Sequence, residues 1–253
     1  MAAGPVAVEQ LGDVLVVRMQ REHKRNAVDH VMAAAIDAAL NRLEDDPAVR
    51  SGILTGTANV FSAGTDIFDE GEKRTVRGGE YGVIRRERRK PLIAAVEGFA
   101  LGGGFEIVLA CDLVVAATAA RFGLPETRRG LVATSGALFR GPRALPLNVA
   151  TELLLTGATL DAGRAHALGL VNVLAEPGAA VAAALELARQ ISLSGPTAVA
   201  ETLAALRELT GASDAHGWSV TERAQFVILS SPEAAEGVRA FGEKRLPEWD
   251  QSR

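Results

Sequence analysis

Two glutamates and a run of glycines are the residues of this chain best suited to chemistry. Ala100-Leu101-Gly102-Gly103-Gly104-Phe105-Glu106 follows an apolar, strand-like run and opens a helix. Glycines there let a ligand approach the backbone with no Cβ in the way. The first amides of a helix lack internal partners and sit at the positive end of its dipole, so the turn can stabilise an anion. A tight strand-to-helix turn with glycine for packing accounts for the same spacing. Neither a G-x-G-x-x-G fingerprint nor a Gly-Lys-Ser/Thr ending is present, so phosphate cradling of those kinds is not expected. Glu106 lies one turn into the helix, beside Ile107, Val108 and Leu109. Glu126 lies beyond the next strand, in Phe122-Gly123-Leu124-Pro125-Glu126, where Pro125 keeps its neighbour extended. Carboxylates on either side of one strand can face one cavity and divide acid and base duties. Taken alone, the pair reads as two solvated surface glutamates.

Other reactive side chains fit chemistry less well. Cys111 sits in an apolar helix and reads as a core residue. Ser135 lacks the strand-to-elbow sequence of a hydrolase serine. His23, His30, His166 and His216 are scattered without metal-ligand spacing, so no metal site is expected.

The elements that must hold the glutamates are readable from apolar periodicity. Val14–Val17, Ser51–Thr55, Val60–Ser62, Leu92–Val96 and Leu113–Ala117 read as strands. Asp29 is placed to cap a helix carrying Val31, Met32, Ile36, Leu40 and Leu43, and Asp45-Asp46-Pro47 stops it. Phe105–Cys111 reads as a helix, and strands alternating with helices predict an α/β fold with crossover connections. From Asn148 the pattern turns helical, at 148–157, 161–169, 178–192, 196–209, 214–230 and 232–242, with Pro196 and Pro232 as first-turn prolines. Ser194-Gly195-Pro196 marks a soft boundary between an α/β body, 1–194, and a helical tail, 195–253. The charged run Arg85–Lys90 reads as a solvated helix face that could also attract phosphates.

Composition bounds the answer further. The chain has 253 residues, 48% hydrophobic and only 4% aromatic, so its apolar content comes from small aliphatics beside 26 glycines. That is ample for a sizeable core and excludes a disordered protein. A net charge of −4 argues against a dedicated nucleic-acid partner. A single cysteine excludes an intrachain disulfide and suits a reducing compartment. No secretory signal is visible in Met1–Gln10, and no apolar run is long enough for a membrane span, so a cytoplasmic, membrane-free protein is expected.

The stretch from Ile93 to Glu106, then Cys111-Asp112 and Phe122–Glu126, resembles the enoyl-CoA hydratase/isomerase (crotonase) family. Phe61–Ile67, Arg25-Asn26-Ala27, Leu155–Gly157, Ala167–Val171 and Phe241–Arg245 are similar to further family segments, so the resemblance runs from about Val8 to Arg245. It implies a spiral of ββα units followed by helices that mediate trimerisation, as a homotrimer or a dimer of trimers. It implies an acyl-CoA substrate, with coenzyme A belonging to the substrate and no separate cofactor. The thioester oxygen is then held by the backbone N–H groups of Thr65 and Gly103, as preorganised donors. Coenzyme A is expected to thread past Lys24, Arg25 and Ala27, with its adenine near Ala63, Asp66 and Ile67, and with Phe241 and Lys244 reaching a neighbouring subunit's ligand.

Glutamates at both positions are similar to the family's hydratases, whereas many of its isomerases keep one. The implied reaction is hydration of a 2-enoyl-CoA to a 3-hydroxyacyl-CoA, with Glu106 orienting the water and Glu126 supplying the proton. A 3,2-enoyl-CoA isomerase and a non-catalytic acyl-CoA-binding protein are the alternatives. Two departures stand out. Where many hydratases carry a Pro-Gly-x-Gly-Gly turn this chain has Ala133-Thr134-Ser135-Gly136-Ala137, which bears on acyl preference. Arg128 and Arg129 adjoin Glu126; they are expected to be exposed, and an inward one would lower its pKa.

Overall fold

The computed structural model describes residues 4–249. Strands β1 (Val6–Leu11) and β2 (Val14–Met19) form a hairpin, and α1 (His30–Asp45) leads to β3 (Ser51–Thr55) and β4 (Val60–Ser62). A short hairpin, β5 (Arg74–Thr75) and β6 (Gly79–Glu80), precedes β7 (Leu92–Val96), β8 (Phe99–Leu101) and α2 (Gly103–Ala110). Then come β9 (Leu113–Ala117), β10 (Arg121–Gly123), α3 (Ala137–Ala144) and α4 (Leu147–Thr156). β11 (Thr159–Asp161), α5 (Ala162–Ala167) and β12 (Val173–Ala175) follow. Four helices close the chain: α6 (Ala180–Ser192), α7 (Pro196–Gly211), α8 (Asp214–Leu229) and α9 (Pro232–Glu243).

The strands build two stacked sheets. One runs β1-β2-β3-β7-β9-β12, parallel throughout except for the β1 edge, and the other runs β11-β10-β8-β4. Each passage of the chain adds one strand to each sheet, as β3 with β4, β7 with β8, and β9 with β10. This is the expected α/β spiral. Its larger sheet is covered on both faces, which is why β3 and β7 are buried at every position. Leu15, Val17, Leu54, Ala94 and Val96 face the core of α1 and α2. The alternate residues Val14, Val16, Ile53, Ile93 and Ala95 face Ala180, Ala184 and Ala188 of α6.

The Asp29 cap is present, its carboxylate accepting the Met32 N–H at 2.8 Å. Within α1, Met32, Ile36, Leu40 and Leu43 are buried, but Val31 points outward, 49% exposed. Strands β8, β10, β11 and β12, of three residues each, are too short to show a period, and β1, with six, buries none of them fully. Helix α3 was hidden by Gly141-Pro142 inside it. The charged run Arg85–Lys90 is not a helix face. It is irregular loop in which Arg86 pairs with Asp37 on α1 and Arg88 with Asp112, at 2.5 and 3.2 Å, both arginine side chains almost wholly buried. Charge alone could not distinguish a solvated arginine from one whose partner lies on a distant element. No helix among the described residues is long and apolar enough to cross a membrane.

Helix α9 returns to the body and lies on the turn after β10. A Cβ at Gly237 would stand 1.9 Å from the Arg129 carbonyl oxygen, so only glycine permits this approach. Gly237→Ala should lift α9 from that turn and lower stability by about 1–3 kcal/mol, read from chemical denaturation. An unchanged midpoint would show that α9 does not depend on the contact.

Candidate active site

The site is assembled where β4 and β8 end side by side. Gly64 (φ +90°) follows β4, and a Cβ there would stand 2.6 Å from the Gly103 nitrogen. Gly102 (φ +55°) turns the chain from β8 into α2. Backbone therefore packs on backbone, and Thr65 and Gly103 become neighbours. Thr65 bridges Val28, but the bridge uses the Gly64 carbonyl and the Asp66 N–H, which leaves the Thr65 N–H directed away from it. Gly103 is the first residue of α2, where no helical acceptor is available. Among the described residues neither N–H has a hydrogen-bond acceptor in the chain.

Both sequence-expected glutamates line one cavity of about 160 Å³, together with Thr65, Ile67, Tyr81 and Gly103. Leu131, Val132, Thr134 and three residues of α8, Gln225, Ile228 and Leu229, complete its wall. Glu106 is buried, 2% exposed, and its Oε1 accepts the N–H groups of Ser135 and Ala137 at 2.7 and 3.0 Å. Glu126 opens the turn after β10, facing Gly102, and its Oε2 is buried without a partner.

Burial, and then the charge of Glu126, push the Glu106 carboxyl well above its usual 4.5, against the pull of the two amides. Burial raises Glu126 as well. Arg128 is exposed as expected, whereas Arg129 is half-buried, stacks on Phe241 at 4.1 Å and pulls Glu126 down without overcoming burial. Two carboxyls that resist ionisation beside each other can hold a proton between them at neutral pH.

Of the expected coenzyme A residues, Ile67 lines the cavity. Lys24 and Arg25 are exposed on a turn, and Arg25 and Asn26 both adopt positive φ. Asn26 is buried and holds that turn to β4 through the Val60 and Phe61 carbonyls, at 2.9 and 3.1 Å, while the Ala63 N–H reaches the Arg25 carbonyl at 3.0 Å. These bonds tie the turn carrying Lys24, Arg25 and Ala27 to Ala63, one residue before Gly64. The Asp66 carboxylate is taken up by Arg21 at 2.8 Å; burial alone would raise its pKa, but Arg21 and the Phe68 N–H hold it low. Phe241 and Lys244 end α9, where a Cβ on Gly242 would touch Phe68 of the same chain at 3.7 Å.

Sequence reasoning missed three groups. The Ser135 and Ala137 amides carry no side-chain signal. Tyr81 has its hydroxyl 2.6 Å from Thr65 Oγ1, and its only sequence signal was being the sole tyrosine of the chain. Cys111, expected in the helix core, lies just past the end of α2 and is partly buried; its thiol hydrogen-bonds the Ile107 carbonyl, and burial pushes its pKa up.

A two-sheet spiral brings two backbone amides and two protonatable carboxyls to one cavity, an arrangement able to bind an oxyanion and move protons. The Enoyl-CoA hydratase/isomerase family profile matches residues 9–252. The enoyl-CoA hydratase EchA19 of Mycobacterium tuberculosis is 37% identical, over 98% of this chain and 97% of its own. The mevalonyl-coenzyme A hydratase sidH of Aspergillus fumigatus is 36% identical, over 95% and 92%. A carnitinyl-CoA dehydratase structure from Mycobacterium avium superposes with a TM-score of 0.91 at 42% identity, covering 99% of this chain and 100% of that one. The chain belongs to the enoyl-CoA hydratase/isomerase family, and it is a hydro-lyase acting on acyl-CoA thioesters.

The raised carboxyls have a consequence for stability. As pH rises from the ordinary carboxylate value, the unfolded chain releases protons that the folded pair retains, so unfolding becomes easier. Between about pH 5 and 7 the wild type should lose stability relative to Glu106→Gln, by up to about 1.4 kcal/mol per pH unit. Glutamine keeps an oxygen for the Ser135 and Ala137 amides. Melting curves of both proteins across that range test this, and parallel curves would contradict it.

Proposed function

We propose that the protein adds water across the 2,3 double bond of a 2-enoyl-CoA to give the 3-hydroxyacyl-CoA. The convergence of two partnerless amides with two proton-holding carboxyls on one cavity carries this reading. The thioester carbonyl oxygen is polarised by the N–H groups of Thr65 and Gly103. Glu106, fixed by Ser135 and Ala137, takes a proton from the water that attacks C3. Glu126 gives its proton to C2. The enolate oxygen formed between these steps meets donors that need no reorganisation. The positive charges of Lys24 and Arg25 suit the phosphates of coenzyme A, with Ala27, Ala63, Asp66 and Ile67 along its path, Asp66 through its main chain. Relatives named for mevalonyl- and carnitinyl-CoA favour a short and polar acyl group.

Loss of absorbance of the conjugated enoyl thioester, followed over a panel of 2-enoyl-CoAs, tests the reaction. Glu106→Gln and Glu126→Gln should each lower kcat by roughly 10²- to 10⁴-fold. Activity surviving both changes would overturn the two-carboxylate mechanism. Conjugation of a 3-enoyl-CoA without water addition to any 2-enoyl-CoA would make the protein an isomerase.

The region 195–253 is proposed as the oligomerisation region of a homotrimer, or of two stacked trimers. Helix α7 buries no residue and α8 only Thr221, while Leu206, Leu209, Phe226, Val227 and Leu229 stand exposed. Apolar surface of that extent calls for cover by further copies. Light scattering should give three or six times the 26.4 kDa chain mass, and Phe226→Asp should shift it downward. A monomeric wild type at micromolar concentration would contradict the proposal.

A further inference from the structure

Tyr81 is held over the site by a backbone conformation that favours glycine. Its φ is +57°, between Gly79 at +66° and Gly82 at +76°. A bulky side chain in this left-handed region is strained, and such strain persists where the surroundings impose it. They do so here. A Cβ at Gly78 would stand 2.0 Å from the Gly82 carbonyl oxygen, and one at Gly82 would stand 2.5 Å from that of Ala33 on α1. The Tyr81 N–H donates to the Lys73 carbonyl at 2.8 Å. The loop is thereby clamped, and the ring is directed into the cavity.

The hydroxyl meets Thr65 Oγ1 at 2.6 Å and lies 2.5 Å from where a Cβ on Gly103 would be. That second position is off the line of the Gly103 N–H, so the phenol stands beside the oxyanion donors. Tyr81 and Thr65 bring two hydroxyl protons to one mutual contact. Among the described residues neither hydroxyl has a second hydrogen-bond partner. One O–H of the Tyr81–Thr65 pair is therefore left over. Burial, followed by the charge of Glu106, keeps the phenol protonated. Beyond the hydroxyls and the glutamates, the wall is largely apolar, with Leu131, Val132, Ile228 and Leu229. A polar patch on one side of a small apolar pocket selects a ligand carrying one matching acceptor.

We propose that the Tyr81–Thr65 hydroxyl pair is the specificity-determining contact of the acyl pocket, donating to an oxygen substituent on the acyl chain and so favouring oxygenated 2-enoyl-CoAs over plain alkyl ones. This rests on the hydratase reading given above. A site built to hydrogen-bond an oxygen leaves a buried donor unpaired when the substrate lacks it, which penalises the alkyl analogue.

The test compares kcat/KM for matched pairs: crotonyl-CoA with 4-hydroxybut-2-enoyl-CoA, and pent-2-enoyl-CoA with 5-hydroxypent-2-enoyl-CoA. The wild type should prefer the hydroxylated member of at least one pair. Tyr81→Phe should lower that preference by roughly tenfold, chiefly through KM. Thr65→Val keeps the Thr65 main-chain N–H, provides a second variant should the first fold poorly, and should lower the preference similarly. The double variant should lose little more than either single one, because the pair acts as a unit. Equal loss on both members of each pair would place the phenol in general oxyanion stabilisation and overturn the proposal. Hydration by the wild type without preference for oxygen would also overturn it while leaving the hydratase reading intact. Failure to hydrate any of the four would overturn both.

Discussion

Everything at the site depends on one close approach of main chain to main chain. Gly64 and Gly103 come together so tightly that a single added carbon at Gly64 would collide with the Gly103 nitrogen. The constraint is geometric: two N–H groups can share one oxygen only if the segments carrying them converge without side chains between them. The parallel pairing of β4 with β8 brings the two segments to the same edge, and positive φ at Gly64 and Gly102 then turns both inward. A spiral that repeats one strand in each sheet per turn does this without any special connection. The glycines are thus less a binding motif than the consequence of where two strands end.

Around that junction the carboxyls are placed by opposite means. Glu106 is rigid, because its helix starts at the junction and two amides grip one oxygen. Glu126 has a free buried oxygen and depends on the turn that α9 covers. The first arrangement suits a group that must orient a water molecule; the second leaves an oxygen able to pass a proton. Both pay the cost of burial by holding protons more tightly, and Arg129 offsets this only in part. Helix α9 therefore links the tail of the chain to the chemistry through Glu126, while α8 closes the cavity with Gln225, Ile228 and Leu229.

Much of the fold could be read because burial imposes period on long elements. The run Leu92–Val96, apolar at every position, could only be a strand covered on both faces, and α1 announced itself through Asp29 and its apolar stripe. Elements of three residues such as β8 and β10 left no period to read. Arg85–Lys90 misled for a related reason. An arginine's partner, Asp37 or Asp112, is a matter of tertiary position, and the same letters describe a solvated face and a buried ion pair.

For the site, the sequence by itself determined the chemical types: glycines at two strand ends, a glutamate one turn into a helix, a second glutamate after a proline, and their likeness to a known family. It determined them because backbone amides and carboxyls are specified by local spacing. Only the tertiary structure decided that the amides are unpaired, that both carboxyls share one cavity, and that burial outweighs Arg129. It alone brought the Ser135 and Ala137 amides to Glu106 and Tyr81 to Thr65. Desolvation and pairing depend on what packs against a group from distant parts of the chain, and no local pattern records that.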